Sequence, residues 1–226
     1  MALHYNPRIV THDLLLALDA GDVNSYPGSG SIWRDISGNG FYADMLGSPV
    51  NQLLGGAKCF NFNDIGDRFV VRFGSTQYTN SLTIESWIYP ARTELSSGDR
   101  GCIFQGYAYQ SWNKGSQSLS NYWYGTNNQG YHEAGQIPRE EWRHLVSVWD
   151  TGKKTLTQYI DAKPFSPIQT YATGGYLYLD CNIGWEGDGR QFAGGISTLR
   201  IYKNALTQAE VLQNYTAQKT RHGHAI

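Results

Sequence analysis

The 226 residues carry a formal net charge of −1, with charged residues at 16% and aromatic ones at 14% of the chain. No run of lysine or arginine supplies the electrostatic footprint of a nucleic-acid binder, and no stretch of about 20 apolar residues is long enough to span a bilayer. A chain of this length suits one large all-β domain, which can remove roughly 70–75% of its unfolded surface from water without needing disulfides or a structural metal.

Taken in order, Met1–Val10 lacks the hydrophobic core of a secretory signal, and Leu14–Leu18 is too short for one before Asp19 interrupts it. Tyr26–Asn39, with its glycines, serines and "DISGNG", predicts a long turn region. "RFVVRF" alternates, with Phe69, Val71 and Phe73 on one side and Arg68, Val70 and Arg72 on the other, as a half-buried strand does. "LTIESWIYP" is apolar or aromatic on both sides and predicts a central strand ended by Pro90. "RHLVSVWD" and "TLTQYID" flank the polar turn Thr151–Lys154 and predict a hairpin. "YLYLDCNIGW" and "GGISTLRIY" supply two later strands. Strand after strand at this spacing predicts an antiparallel two-sheet sandwich.

One short helix is expected near the C-terminal end. Thr207 and Glu210 have capping-box spacing, with Ala209, Leu212 and Tyr215 as its apolar stripe. Residues 219–226, "KTRHGHAI", lack periodicity and read as an exposed or partner-bound tail. The domain is therefore expected over 13–218, after an N-terminal extension of residues 1–12. Cys59, Cys102 and Cys181 are odd in number and widely spaced, which predicts buried free thiols rather than a disulfide framework. That usage fits assembly in a reducing compartment.

Five segments in order resemble the concanavalin A-like, laminin-G-type superfamily. They are "LLLALDAGDVNSYPGSGSIWRDISGNG", "KCFNFNDIGDRFVV", "SLTIESWIYP", "EWRHLVSVWD" and "FAGGISTLRIYKNALTQAEVLQNY". The resemblance runs from about Asp13 to Ala217 and implies a jelly-roll sandwich in which Trp33, Trp87, Trp142 and Trp149 are structural. The first and last segments are similar to copies in virion proteins of tailed bacteriophages, including cyanophages. That likeness implies a virion structural, decoration or fibre-type protein, assembled in the host cytoplasm beside other virion proteins and copies of itself. The alternative is a stand-alone lectin-like module. Two departures stand out: Ala162 occupies a hairpin position where glycine would permit positive φ, which predicts another turn type, and the Asn63–Asp67 loop has its glycine displaced.

Sugar cleavage on this fold would need carboxylates set along one strand face at about 5–10 Å. Glu85 stands alone, Glu140 and Glu141 adjoin on opposite faces, and Glu186 and Asp188 sit in a turn, so no enzyme is expected. Calcium prefers loop carboxylates and carbonyls. Asn63, Asp64 and Asp67 offer such oxygens; the competing reading is that they stabilise the turn by Asx-type bonds, and no cofactor is required. The aromatic stretch is the candidate binding region. Tyr107, Tyr109, Trp112, Tyr122, Trp123, Tyr124 and Tyr131 interleave with Asn113 and other amides. Exposed, such rings and amides match the apolar faces and hydroxyl edges of a host surface polysaccharide; buried, they fill a core or an interface. Trp112 and Trp123 are the candidates for exposed stacking.

Overall fold

The computed structural model describes residues 8–95, 97–106, 108–123, 131–165, 167–169, 175–177, 180–187 and 189–225. The first strands are β1 (Leu14–Asp19), β2 (Ile32–Arg34), β3 (Tyr42–Leu46), β4 (Val50–Leu54), β5 (Ala57–Phe62), β6 (Arg68–Arg72) and β7 (Gln77–Thr79). Next come β8 (Leu82–Pro90), β9 (Arg100–Gln105), β10 (Ala108–Asn113), β11 (Ser118–Trp123) and β12 (His132–Ala134). The remainder are β13 (Arg143–Asp150), β14 (Thr155–Ile160), β15 (Lys163–Pro164), β16 (Ile168–Gln169), β17 (Gly175–Leu177), β18 (Asp180–Ile183) and β19 (Gly194–Tyr202). One helix, α1 (Gln208–Gln218), and a 3₁₀ turn over Lys219–His222 follow.

Among these residues, sheet A has the order β15-β14-β13-β8-β19-β5-β4, with β1 also on β19 and β16 on β14. Sheet B runs β12-β11-β10-β9-β18-β6-β3-β2, and β17 pairs with β7 apart from both. The named strand pairs are antiparallel, and the two large sheets face each other as a jelly-roll sandwich. β8 and β13 match the expected strands residue for residue, and β8 is central, between β13 and β19.

The core lies between the sheets. Ile84 and Ile88 point inward from β8, where they join Leu145 and Trp149 of β13. Rings bridge the layers: Phe60 of β5 lies 4.8 Å from Trp33 and 4.6 Å from Phe69, centroid to centroid. At the end of β18, Gly184 has φ +84°, and a Cβ there would overlap the Phe62 ring. Only glycine permits both that backbone and that approach.

The outer face of sheet A is closed by α1. Thr207 caps it, with Glu210 reaching back, as the sequence predicts. The buried stripe differs from the expected one. Val211 and Asn214 face the sheet, whereas Leu212 is 52% exposed and Ala209 is exposed. A polar residue takes the inner position because Asn214 Nδ2 donates to Glu85 Oε2 at 2.6 Å and its Oδ1 accepts from the Val10 amide at 2.7 Å. Glu85 in turn accepts from Arg200 at 2.7 Å and lies 3.0 Å from His144 Nε2. All four side chains are buried.

The segment after α1 is packed rather than exposed, which corrects the expectation of a free tail. Arg221 pairs with both oxygens of Asp19 at 2.8 Å, and His222 is buried. One more expectation changes. Asp161 and Ala162 have φ of +52° and +61° and join Ile160 to Lys163 as a two-residue hairpin loop. Positive φ at both centres defines a type I′ turn, built here without glycine. Cys59, Cys102 and Cys181 are free and buried, as expected; burial pushes the Cys59 thiol up to about 12.

Candidate functional site

Strand alternation decides which aromatic residues of the candidate stretch reach the surface. On β10, Ala108, Gln110 and Trp112 point into the sandwich, while Tyr109, Ser111 and Asn113 point outward. Trp112 is fully buried and donates from Nε1 to the Ile137 carbonyl at 3.2 Å, under the Arg139 guanidinium. The expectation of an exposed stacking indole at Trp112 is therefore corrected: the ring is core. Tyr107 and Tyr124 lie outside the described residues, as does the side chain of Trp123.

Polar residues hold the inward positions beside it. Gln110 accepts from Ser86 at 2.6 Å and donates to Ser147 at 3.0 Å, which in turn donates to Asn121. Gln158 donates to the same Asn121 oxygen at 2.8 Å. This chain ties β8, β13 and β14 of sheet A to β10 and β11 of sheet B. Every member is paired, which a buried polar network requires.

The outward residues assemble into one surface on sheet B. Tyr109, Tyr122 and Tyr131 form a ladder, with Tyr122 5.9 Å edge-on from Tyr109 and 5.2 Å from Tyr131. Tyr122 and Tyr131 are part-exposed, and Tyr109 is 4% exposed. Register explains the grouping: Tyr109 pairs with Tyr122 on one side and Gln105 on the other, and Gln105 pairs with Asn182. Gln105 donates to the Tyr109 hydroxyl at 3.1 Å and accepts from Asn182 at 2.8 Å, so a row of amides edges the rings.

A row of charged groups edges the other side. The Arg100 guanidinium lies 3.7 Å from the Tyr131 ring centroid. It donates to Ser120 at 3.1 Å and pairs with Asp99 and with Glu133, the latter at 3.3 Å. Glu133 also accepts from Asn113, from Ser116 at 2.8 Å and from Ser118 at 3.1 Å. Burial alone would raise its carboxyl, but those hydrogen bonds and the Arg100 charge overcome burial and hold it below its ordinary value. Arg190 adds a second guanidinium, paired with Glu186 at 3.0 Å and with Asp99 at 3.6 Å. Tyr131 is pushed up to about 12, first by burial and then by Glu186, so it stays a hydroxyl.

Four of the predicted residues thus meet on one face: Tyr109, Asn113, Tyr122 and Tyr131. The sequence reading missed Arg100, Glu133, Gln105, Asn182 and Arg190. They lie on other strands or loops, and only strand pairing brings them to the tyrosines.

In the Asn63–Asp67 loop the carboxylates hold backbone amides. Asp67 is 1% exposed and accepts from the amides of Ser48 at 2.7 Å, Asp64 at 3.0 Å and Asn63 at 3.2 Å. Asp64 accepts from the Ile65 amide at 2.7 Å. These are turn-stabilising bonds, with Gln191 clamping the loop through Gly66 and the Asp67 carbonyl.

Residues 65–212 match the family described as the concanavalin A-like lectin/glucanases superfamily. A search of curated proteins by sequence gives no match. Among solved structures, the receptor-binding domain of the botulinum neurotoxin C/D mosaic serotype is similar over 92% of this chain and 52% of its own, at 13% identity and TM-score 0.69. The botulinum neurotoxin serotype D ligand-binding domain in complex with N-acetylneuraminic acid is similar over 92% and 52%, at 13% identity and TM-score 0.67. Trypanosoma rangeli sialidase is similar over 94% and 34%, at 12% identity and TM-score 0.63. The chain spans about half or less of the length of these structures, and at such identities the likeness shows the fold.

Proposed function

This chain belongs to the concanavalin A-like lectin/glucanases superfamily, and from that premise we propose that the outer face of sheet B binds a carbohydrate. The observation that carries the reading is the Tyr109–Tyr122–Tyr131 ladder, edged by Gln105 and Asn182 on one side and by Asn113, Arg100 and Glu133 on the other. A sugar ring offers an apolar C–H face and a rim of hydroxyls. The part-exposed Tyr122 and Tyr131 meet the first, backed by the buried Tyr109, and amides, guanidinium and carboxylate meet the second. Two similar structures, one solved with N-acetylneuraminic acid and one a sialidase, are consistent with a sugar as the ligand class.

Binding without cleavage is the reading favoured. Acid–base hydrolysis needs one carboxyl kept protonated near neutral pH. Glu133 is held ionised by its donors, and Asp99 is tied to two guanidiniums. Calcium is not needed by this reading, since the Asp67 carboxylate already serves backbone amides. The finer proposal is that the module is displayed in many copies on a phage particle, where arrayed weak sites gain avidity. It is supported by the resemblance of the first and last segments to virion proteins, and recovery of the chain from purified particles by mass spectrometry tests it.

The binding reading is tested on a glycan array with the wild-type chain and with Tyr122→Ala and Tyr131→Ala. Retained binding in both variants, or no wild-type binding, contradicts it.

A further inference from the structure

We infer that the glycan taken by the outer face of sheet B is uncharged, and that the Asp99–Arg100–Glu133 array is what excludes acidic sugars. This rests on the reading of that face as a carbohydrate surface. An acidic sugar is held by a guanidinium free to present two parallel N–H groups to its carboxylate. Neither guanidinium beside the tyrosines has that freedom. Arg100 is bound by Asp99, Glu133 and Ser120, it lies on the Tyr131 ring, and only 12% of its side chain is exposed. Arg190 is bound by Glu186 and Asp99.

The balance of charge points the same way. Around the ladder, three carboxylates, Asp99, Glu133 and Glu186, face two guanidiniums, Arg100 and Arg190. Of the other cations, Arg68 on β6 lies over the Trp185 ring, 4.5 Å from its centroid. Lys114 faces Glu94 at 3.6 Å and Arg139 pairs with Glu94 at 2.5 Å. Burial lowers His132, which favours its neutral form. Further along the sheet, Arg72 is held between Asp44 at 2.9 Å and Asp180 at 2.7 Å. An incoming sugar carboxylate would have to displace Asp99 or Glu133 from the Arg100 guanidinium, of whose side chain only 12% is exposed, and would meet the negative charge of the carboxylate that stays. A hydroxyl meets no such cost. It can donate to the remaining lone pairs of Glu133 or Asp99 and accept from Asn113 or a tyrosine hydroxyl.

Matched oligosaccharide pairs test the inference: the same neutral glycan with and without a terminal carboxylate-bearing sugar, titrated at low and at physiological salt. The wild type is expected to bind the neutral member at least about tenfold more tightly, with the gap widest at low salt. The double substitution Asp99→Asn with Glu133→Gln removes two negative charges and releases Arg100. It is expected to narrow the gap or reverse it. Equal or tighter wild-type binding of the acidic member overturns the inference while leaving a sugar-binding face intact. Binding of no glycan overturns the reading of the face and the inference with it. If the double variant does not fold, as a thermal melt would show, the wild-type comparison decides alone.

Discussion

The imidazole of His222 lies flat on the indole of Trp87, ring centroids 3.9 Å apart and planes within 5°. Trp142 meets the same imidazole edge-on at 5.0 Å. Nearby, His224 donates from Nε2 to the Trp142 carbonyl at 2.9 Å and its Nδ1 lies 2.9 Å from the Tyr215 hydroxyl, and His144, Arg143, Asp161, Glu140 and Glu141 ring the site. The segment after α1 is thereby a structural part of the sandwich, sealing the outer face of sheet A.

That stack predicts acid sensitivity. Burial, reinforced by Arg221, His144 and His224, pushes His222 down to about 2. An unfolded histidine titrates near 6.5, so between about pH 6.5 and 2 the unfolded chain binds the extra proton. Stability is therefore full above about pH 6.5 and falls as pH drops, by at most about 1.4 kcal/mol per pH unit from this group. His222→Phe keeps the stack and removes the titration. Thermal melts from pH 7 to 4.5 are expected to show a shallower acid decline in the variant; an unchanged decline counts against this role.

Glu85 is a second anchor. Burial would raise its carboxyl, but the Arg200 charge and the His144 hydrogen bond overcome that and lower it. Its contribution is full above the ordinary carboxylate range and is lost progressively as pH falls from there to the lowered folded value of about 2. Replacing Glu85 by Ala leaves Arg200 buried without its counter-charge and is expected to cost about 3–5 kcal/mol. Urea denaturation at pH 7 measures this; a loss under about 1 kcal/mol contradicts it.

Trp112 belongs to stability rather than to recognition. Trp112→Ala is expected to cost about 3–5 kcal/mol through the cavity it opens and the orphaned Ile137 carbonyl. Trp112→Phe is expected to cost less and to leave any ligand affinity within about twofold, since the ring faces the interior. A selective loss of binding in a stably folded Trp112→Phe chain would return the indole to the site.

Gly184 should not accept a side chain. Alanine there meets both a left-handed backbone, at about 1–2 kcal/mol, and overlap with Phe62, at about 1–3 kcal/mol. Gly184→Ala is expected to lower stability by about 2–5 kcal/mol, read as a fall in Tm.

Much of the fold is legible in the sequence because strand alternation and turn chemistry are local. "LTIESWIYP", "RHLVSVWD" and "GGISTLRIY" become β8, β13 and β19 with those bounds, and Thr207 and Glu210 form the capping box. What escapes local reading is which side of a strand faces in. On β10 and β11 the usual polarity is partly inverted, since Gln110 and Asn121 point inward and Tyr109 and Tyr122 point outward. A polar network satisfied across five strands makes that phase stable, and its partners are up to 37 residues apart in sequence. The same cause hides Arg100 and Glu133, which reach the tyrosines only through pairing. The segment after α1 is misread because histidine and arginine look solvated until Trp87 and Asp19 are placed beneath them.

The central claim is that the Tyr109–Tyr122–Tyr131 ladder on sheet B is a sugar-binding surface. Saturation-transfer NMR with a glycan identified on the array tests it most directly, comparing the wild type with a folded Tyr122→Ala chain. Saturation transfer to the C–H face of the sugar is expected in the wild type, with at least about a tenfold loss of affinity in the variant. Equal transfer and equal affinity in the two chains would place the sugar elsewhere and contradict the account.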